Sequence, residues 1–339
     1  MNAVGMHIFA GGFAVGVERA GFDIEAHYED GTYGVATFQH NRPGVPVHTK
    51  YVDWPAPAGH VDLLYANPPC APFSQTAWND WTTDERVGCI YQVLEAVDAW
   101  RPTAMCMESV TRLFTHAKAD VLDDVMPAMR ELGYDVYHVL HDARDFDLPQ
   151  VRKRYMLVLS LVELDPQDMM PSGAAKPVVA DFIDAITLDE DERGLTHSPT
   201  AALHKHCVDN LVPHVEPGEK LRTVHERLYP GVTRGRPLRQ VKRLELDKPC
   251  GVVMGGLRFV HPVEARLMGV NEHAALSGFD PGFEFLGSHG AASALVSRGV
   301  CPNVGAGFAD WCRRGIQGNV PATGRELVVD ALRGEVRHV

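Results

Sequence analysis

No uninterrupted apolar run in this chain reaches the roughly 18 residues that a membrane-spanning helix needs, so a helical membrane protein is not expected. The first residues lack a basic start followed by an apolar core, which argues against a signal peptide and for a cytoplasmic location. Cysteine is sparse and unpaired in pattern: seven residues, an odd number, with no Cys-x-x-Cys. That spacing speaks against a disulfide framework and against a zinc knuckle, and no metal is expected. Positive charge is short as well, with 32 Lys and Arg against 44 Asp and Glu and a net charge of −12. A protein that wraps nucleic acid over its whole surface is therefore disfavoured, because phosphate contacts require lysine and arginine. There is no internal repeat.

What is present suits a globular protein of one sizeable domain plus a smaller one: 339 residues, 45% of them hydrophobic. A monomer is expected. Up to about residue 162, short apolar runs alternate with stretches of helical period. Val4–Phe9 precedes Phe13–Ala20, Ile24–Tyr28 precedes Tyr33–His40, Val61–Tyr65 precedes Val87–Trp100, and Thr103–Met107 precedes Val121–Leu132. This alternation predicts an α/β fold, a parallel sheet with helices on both faces. Tyr134–Leu140 and Tyr155–Leu161 follow with only a polar linker between them, and are expected to pair antiparallel at one edge. Residues 1–164 form the first domain on this reading. Residues 165–256, rich in proline, glycine, histidine and mixed charge, form a small irregular one. Residues 257–312 return to the first domain, with a last helix through Val304–Trp311, and 313–339 read as a loosely held tail.

Ligands on such sheets bind beyond the carboxyl ends of the strands, and several chemically capable residues fall there. Phe9-Ala10-Gly11-Gly12 sits at the first strand-to-helix turn, where glycines let a ligand approach backbone amides or simply make the turn. Glu29 ends the second strand, about 20 residues on, where an acid can bind ribose hydroxyls. Cys70 closes Ala66-Asn67-Pro68-Pro69-Cys70 directly after Val61–Tyr65; a thiol on a rigid turn at a strand end suits a nucleophile, whose pKa nearby arginines would lower, or is a buried, inert cysteine of the usual kind. Glu108 follows the next strand, where a carboxyl group can act as an acid or pair with a surface lysine. Arg152 and Arg154 alternate at the start of a strand, so both side chains point one way. Positive charge concentrates in one island, Lys220 to Lys248, with Lys220, Arg222, Arg227, Arg234, Arg236, Arg239, Lys242, Arg243 and Lys248 against Glu226, Glu245 and Asp247. It is either a solvated face or a phosphate-binding surface.

Taken together, Phe9-Ala10-Gly11-Gly12, Pro69-Cys70-Ala71-Pro72-Phe73-Ser74, Met107-Glu108-Ser109-Val110 and Gln150-Val151-Arg152-Lys153-Arg154 resemble, in order and over most of the chain, the DNA cytosine-5 methyltransferase family. The resemblance implies a Rossmann-like S-adenosylmethionine-dependent methyltransferase domain with a small, irregular target-recognition domain, in a prokaryotic or phage setting, acting on double-stranded DNA. It implies that Phe9, Ala10, Gly11 and Gly12 cradle the methyl donor, that Glu29 holds its ribose and Asp53 its adenine, and that Asn67 and Pro68 complete that pocket. Cys70 would attack carbon 6 of a flipped cytosine, Glu108 would hold ring nitrogen 3 and the exocyclic amine, and Arg152 and Arg154 would bind the base carbonyl and a phosphate. Ser74 and Gln75, in a lid that also carries Trp78 and Trp81, would touch DNA, as would Arg234, Arg236, Arg239, Lys242 and Arg243. The tryptophans serve equally well as loop anchors. Arg266 to Glu272 resembles the element that supports the recognition domain, and Val300-Cys301-Pro302-Asn303-Val304 the tail of the last motif. The chain departs from the family pattern by one residue fewer in the glycine turn, by Ala71 where glutamine is usual, by Ser109 for asparagine, and by Ser297-Arg298-Gly299 before the last motif. An RNA cytosine-5 methyltransferase would share the catalytic residues, and a catalytically silent DNA-binding homologue would share the fold. Enzymes that methylate exocyclic amines carry Asn-Pro-Pro-aromatic, and Cys70 in the aromatic position argues against them.

Overall fold

The computed structural model describes the chain apart from residues 30, 50–54, 74–80, 173, 175, 184–208, 233–240 and 256–258. It divides into two compact units, one of Met1–Phe146, Arg152–Ala175 and Gly299–Val339, the other of Asp147–Val151 and Lys176–Arg298.

The first unit begins with β1 (Asn2–Met6), α1 (Gly12–Arg19), β2 (Asp23–Tyr28), α2 (Thr32–Asn41), the short β3 (Val47–His48) and β4 (Leu63–Ala66). Then come α3 (Gly88–Trp100) and β5 (Ala104–Ser109). In α3 the buried Ile90, Val93, Leu94 and Val97 recur at the i, i+3, i+4, i+7 spacing that lines one face of a helix. The single helix expected over Val121–Leu132 is instead broken into α5 (Lys118–Val121) and α6 (Met126–Glu131), after the short α4 (Thr111–Thr115). Pro127 explains the break, because proline has no N–H to continue a helix and belongs in a first turn. β6 (Asp135–Asp142) and β7 (Lys153–Ser160) pair antiparallel over their whole length, as expected.

The second unit holds α7 (Ala180–Ile183), α8 (Leu221–Leu228), the two-residue strands β8 (Lys242–Arg243) and β9 (Phe259–Val260), α9 (Val270–Ala275) and α10 (His289–Arg298). Leu211, Val212, Val215, Leu221, Val224, Val260 and Leu267 make a small core of its own. The expected Arg266–Glu272 element is a buried bidentate ion pair, with Nη1 to Oε2 at 2.9 Å and Nη2 to Oε1 at 2.7 Å, and Glu272 also accepts the Gly269 N–H at the start of α9. This element belongs to the second unit, which runs on to Arg298 instead of ending near residue 256.

The chain then forms α11 (Pro302–Gly318), β10 (Glu326–Asp330) and β11 (Glu335–His338). The tail expected from residue 313 is thus corrected: α11 continues to Gly318, and the last residues are sheet. All five residues of β10 are buried, because Leu327, Val328 and Val329 add an apolar strand parallel to β6. The nine-stranded sheet has the order β11-β10-β6-β7-β5-β4-β1-β2-β3, so the β6–β7 pair lies inside the sheet and not at its edge.

One face of the sheet carries Met105, Met107, Leu157 and Leu159 against α3 and α6. On α1 and α11, buried Phe13, Val17, Phe308, Trp311 and Cys312 line the other core. These two helices touch backbone to backbone at Gly16, where an added Cβ would lie 2.3 Å from Pro302 O and 2.5 Å from Ala306 N. In an exposed helix Gly→Ala gains about 1 kcal/mol. Here overpacking against unyielding backbone dominates, and Gly16→Ala is expected to cost about 2–3 kcal/mol. A lowered urea midpoint checks this; an unchanged or raised midpoint would contradict the crossing.

Candidate active site

β4 is fully buried between β1 and β5, and its ladder must stop at Pro68-Pro69, neither of which has an N–H to give. The chain turns there into a 3₁₀ turn, Ala71–Phe73, in which the Phe73 N–H donates to Cys70 O at 3.1 Å and the Phe73 ring is buried in the core. Cys70 is thereby held on a short, pinned bend, half-buried and not in a disulfide.

The parallel register of β4 with β5 ends at Ala66 opposite Met107, so the next residues, Asn67 and Glu108, meet at adjacent strand ends. Asn67 Nδ2 donates to Glu108 Oε2 at 2.8 Å. Across the antiparallel β5–β7 pair, Arg154 Nε stands 3.2 Å from Glu108 Oε1. Arg152 is buried, its Nη2 donating to Gly299 O at 3.0 Å and its N–H to Asp142 Oδ1 at 3.3 Å. Burial pushes the Glu108 carboxyl above the ordinary carboxylate range, while Arg154, Arg152 and the Asn67 bond pull it down. Burial also pushes the Cys70 thiol up, Glu108 adds to this, and Arg154 and Arg152 oppose it. Four groups expected from the sequence, Cys70, Glu108, Arg152 and Arg154, are thus brought into one electrostatic cluster. The expected lowering of the thiol does not occur, because desolvation and the neighbouring carboxylate outweigh the two guanidinium groups.

The turn after β1 is built differently from a glycine-only turn. His7 and Phe9 have φ of 54° and 51° and Gly11 has 96°, so the shortened turn closes through two non-glycine left-handed residues, each costing about 1–3 kcal/mol. Glu29 holds it: Oε2 accepts the Phe9 N–H and Oε1 the Gly31 N–H, both at 2.9 Å. Gly11 has no substitute, since beyond its φ an added Cβ would sit 2.7 Å from Phe38 Cδ2. The Gly11 N–H is taken by Ile8 O at 2.9 Å, but the first turn of α1 has neither a side-chain cap nor an acidic residue, so the helix start from Gly12 offers amides suited to an anionic group, with a carboxylate near the turn suited to hydroxyls. The residues present fit a nucleoside cofactor with a charged tail.

Other expected site residues are placed differently. Asn67, expected at the cofactor, donates its amide Nδ2 to Glu108. Arg243 is buried, with its guanidinium nearest the backbone oxygens of Val263, Pro262 and Val212 at 3.4–3.5 Å, so it ties the second unit's own chain together and is no phosphate contact. Lys242 is paired with Glu245 at 3.2 Å; Arg227 pairs with Glu219 and Arg222 with Glu226, which shrinks the basic island. Trp81 is an anchor, its Nε1 donating to Asp120 Oδ2 at 3.0 Å. Asp53, Ser74, Gln75, Trp78, Arg234, Arg236 and Arg239 lie outside the described residues. Two features were not foreseen: the Asn67–Glu108 bond, and the buried Cys301 at the start of α11, whose thiol senses Arg152, Arg154 and Glu108. The only sequence signal for the first was the position of Asn67 one residue beyond β4.

A thiol, a buried acid, two arginines and a glycine turn at the carboxyl end of a mainly parallel sheet are the arrangement of a methyltransferase of the α/β class. The model of the C-5 cytosine-specific DNA methylase family matches residues 1–312, and the chain belongs to that family; its reaction is DNA cytosine-5 methylation. It is 28% identical over 319 residues to the Type II methyltransferase M1.HphI of Haemophilus parahaemolyticus, covering 89% of this chain and 83% of that protein. It is 26% identical to M.PspPI of a Psychrobacter species, covering 87% and 74%. Among solved structures, an E. coli prophage-encoded protein described as a DNA modification methyltransferase superposes with a TM-score of 0.71 at 17% identity, covering 94% of this chain and 99% of the other. The S. pombe Dnmt2 methyltransferase superposes at 0.64 and 12% identity, covering 93% and 99%. Among the described residues no helix is long and apolar enough to cross a membrane.

Proposed function

We propose that this chain methylates carbon 5 of a cytosine flipped out of duplex DNA, through a covalent adduct on Cys70, as the modification enzyme of a Type II system in the cytoplasm. The observation that carries the reading is the convergence of Cys70, Glu108 and Arg154 at the ends of three neighbouring chain segments, with the acid held by Asn67 at 2.8 Å and by Arg154 at 3.2 Å.

Carbon 5 of cytosine is a poor nucleophile while the ring is aromatic, so the thiolate of Cys70 adds to carbon 6. Glu108, buried and kept ready to carry a proton, delivers it to ring nitrogen 3 and so accepts the charge of addition. Arg154 and Arg152 hold the base carbonyl side and stabilise the thiolate. S-adenosylmethionine, when bound, supplies an electrophilic methyl; the turn Phe9–Gly12 and Glu29 would hold it. Loss of the carbon 5 proton to a base and departure of the Cys70 sulfur restore aromaticity. Residues of the second unit read the target, with Arg234, Arg236 and Arg239 on phosphates.

The reactive form carries a thiolate and a protonated acid, so kcat/KM is expected to be bell-shaped in pH. It rises as the first proton of the pair leaves and falls as the second does, with both limbs displaced upward because burial raises both groups. In Glu108→Gln the falling limb should vanish from the residual rate, and a falling limb that persists would remove Glu108 from the role. The function itself is tested by mass spectrometry of nucleosides from DNA co-expressed with the protein, and by trapping on duplex DNA containing 5-fluorocytosine. 5-Methylcytosine and a stable adduct are expected. Methylation of transfer RNA in place of duplex DNA, or cofactor binding with neither product nor adduct, would overturn the reading.

A further inference from the structure

The carboxyl group of Glu108 is clamped on both oxygens, and the two clamps differ in kind. Arg154 reaches Oε1 with its Nε at 3.2 Å, and a guanidinium can only donate. A proton on Glu108 therefore has no acceptor on that side. On the other oxygen stands Asn67, 1% exposed, whose Nδ2 is 2.8 Å from Oε2 and 3.5 Å from the Glu108 carbonyl oxygen. Its other polar atom, Oδ1, is buried and has no hydrogen-bond partner. An amide carries a donor and an acceptor on one plane, so half a turn about the last side-chain bond replaces Nδ2 by Oδ1 opposite Oε2.

We propose that Asn67 is a positioning residue for Glu108, one that holds the carboxyl against Arg154 and exchanges donor for acceptor as the acid ionises. With Glu108 ionised, Nδ2 donates to Oε2. With Glu108 protonated, the Oε2–H donates to Oδ1, which fills the acceptor that is otherwise orphaned. When the proton passes to a base nitrogen, the amide turns back and the carboxylate regains its donor. Glu108 keeps its place in both states, where an arginine there would hold only the ion and an apolar residue neither. The inference rests on Glu108 being the acid of the reaction, but its geometry stands without substrate or cofactor.

The test reads the acid directly. Infrared difference spectra are recorded through a pH titration of the protein, Glu108→Gln, Asn67→Ala, Asn67→Ser and Asn67→Asp. The protonated-carboxyl band absent from Glu108→Gln belongs to Glu108. Loss of the donor to the ion in Asn67→Ala should move its midpoint up by about one pH unit and shift the band to the higher frequency of a carbonyl whose O–H is not bonded to an amide. Asn67→Asp, which places a second carboxyl opposite Oε2, should move the midpoint further up. Asn67→Ser, whose hydroxyl both donates and accepts, should restore part of the difference. An Asn67→Ala midpoint and band equal to those of the unaltered protein would overturn the proposal, as would equal values for Asn67→Ala and Asn67→Ser. Failure of methyl transfer in the unaltered protein would strike the functional reading and leave these spectra to be judged alone.

Discussion

Cys70→Ser is expected to lose methyl transfer to duplex DNA by roughly four orders of magnitude while keeping its fold. Serine is nearly isosteric with cysteine, and Cys70 is only half-buried on a turn pinned by Phe73, so the melting temperature should stay within about 2 °C. The chemistry is another matter. A hydroxyl is far harder to deprotonate than a thiol, and the environment that burdens the thiol, burial plus Glu108, burdens an alkoxide more. Two arginines that bring the thiol within range cannot bring a hydroxyl there. Labelled methyl transfer, measured together with cofactor binding, checks this. Retained binding with lost transfer is the expected pattern; a serine protein that methylates as fast as the original would dismiss the covalent step.

The half of this site that was legible in the sequence is the half carried by side chains with uncommon chemistry at strand ends. Cys70 after a double proline, Glu108 after an apolar run and Arg152 with Arg154 before one stand out by position, and the family resemblance is what gives them their roles. The alternation of apolar runs with helical stretches likewise revealed the parallel part of the sheet. What stayed hidden depends on register and burial. Asn67 faces Glu108 only because β4 and β5 pair with Ala66 opposite Met107, and Arg243 leaves the basic island only because it is buried among backbone carbonyls. The direction of the thiol's pKa was misjudged for a related reason: arginines are visible in a sequence, whereas desolvation is not. β10 was missed because a short apolar run, Leu327–Val329, is too brief for periodicity to separate strand from tail, and its place beside β6 is set by tertiary pairing.

Glu108→Gln brings the second large effect, and it acts in opposite directions on activity and stability. Glutamine preserves the shape and can still donate a hydrogen bond to ring nitrogen 3 or accept one from the exocyclic amine, but it has no proton to transfer to nitrogen 3, so kcat should fall by about 10²–10⁴. Stability should move the other way. The folded-state pKa of Glu108 is raised, so between the ordinary carboxylate pKa and that raised value the folded protein binds more protons than the unfolded chain. Stability contributed by this group is therefore present at low pH and is lost as pH rises through the folded value. At neutral pH the carboxylate is a net burden despite Arg154 at 3.2 Å and Asn67 at 2.8 Å, and a neutral amide removes it, so the variant should be the more stable. Urea unfolding of both proteins at several pH values separates the outcomes. The gain should be seen at pH 7 and should shrink toward acid, where the glutamate is itself neutral. A Glu108→Gln protein less stable than the original at neutral pH would mean that the ion pair with Arg154 outweighs the cost of burial, and the acid would then rest as a carboxylate with no proton to lend to the base.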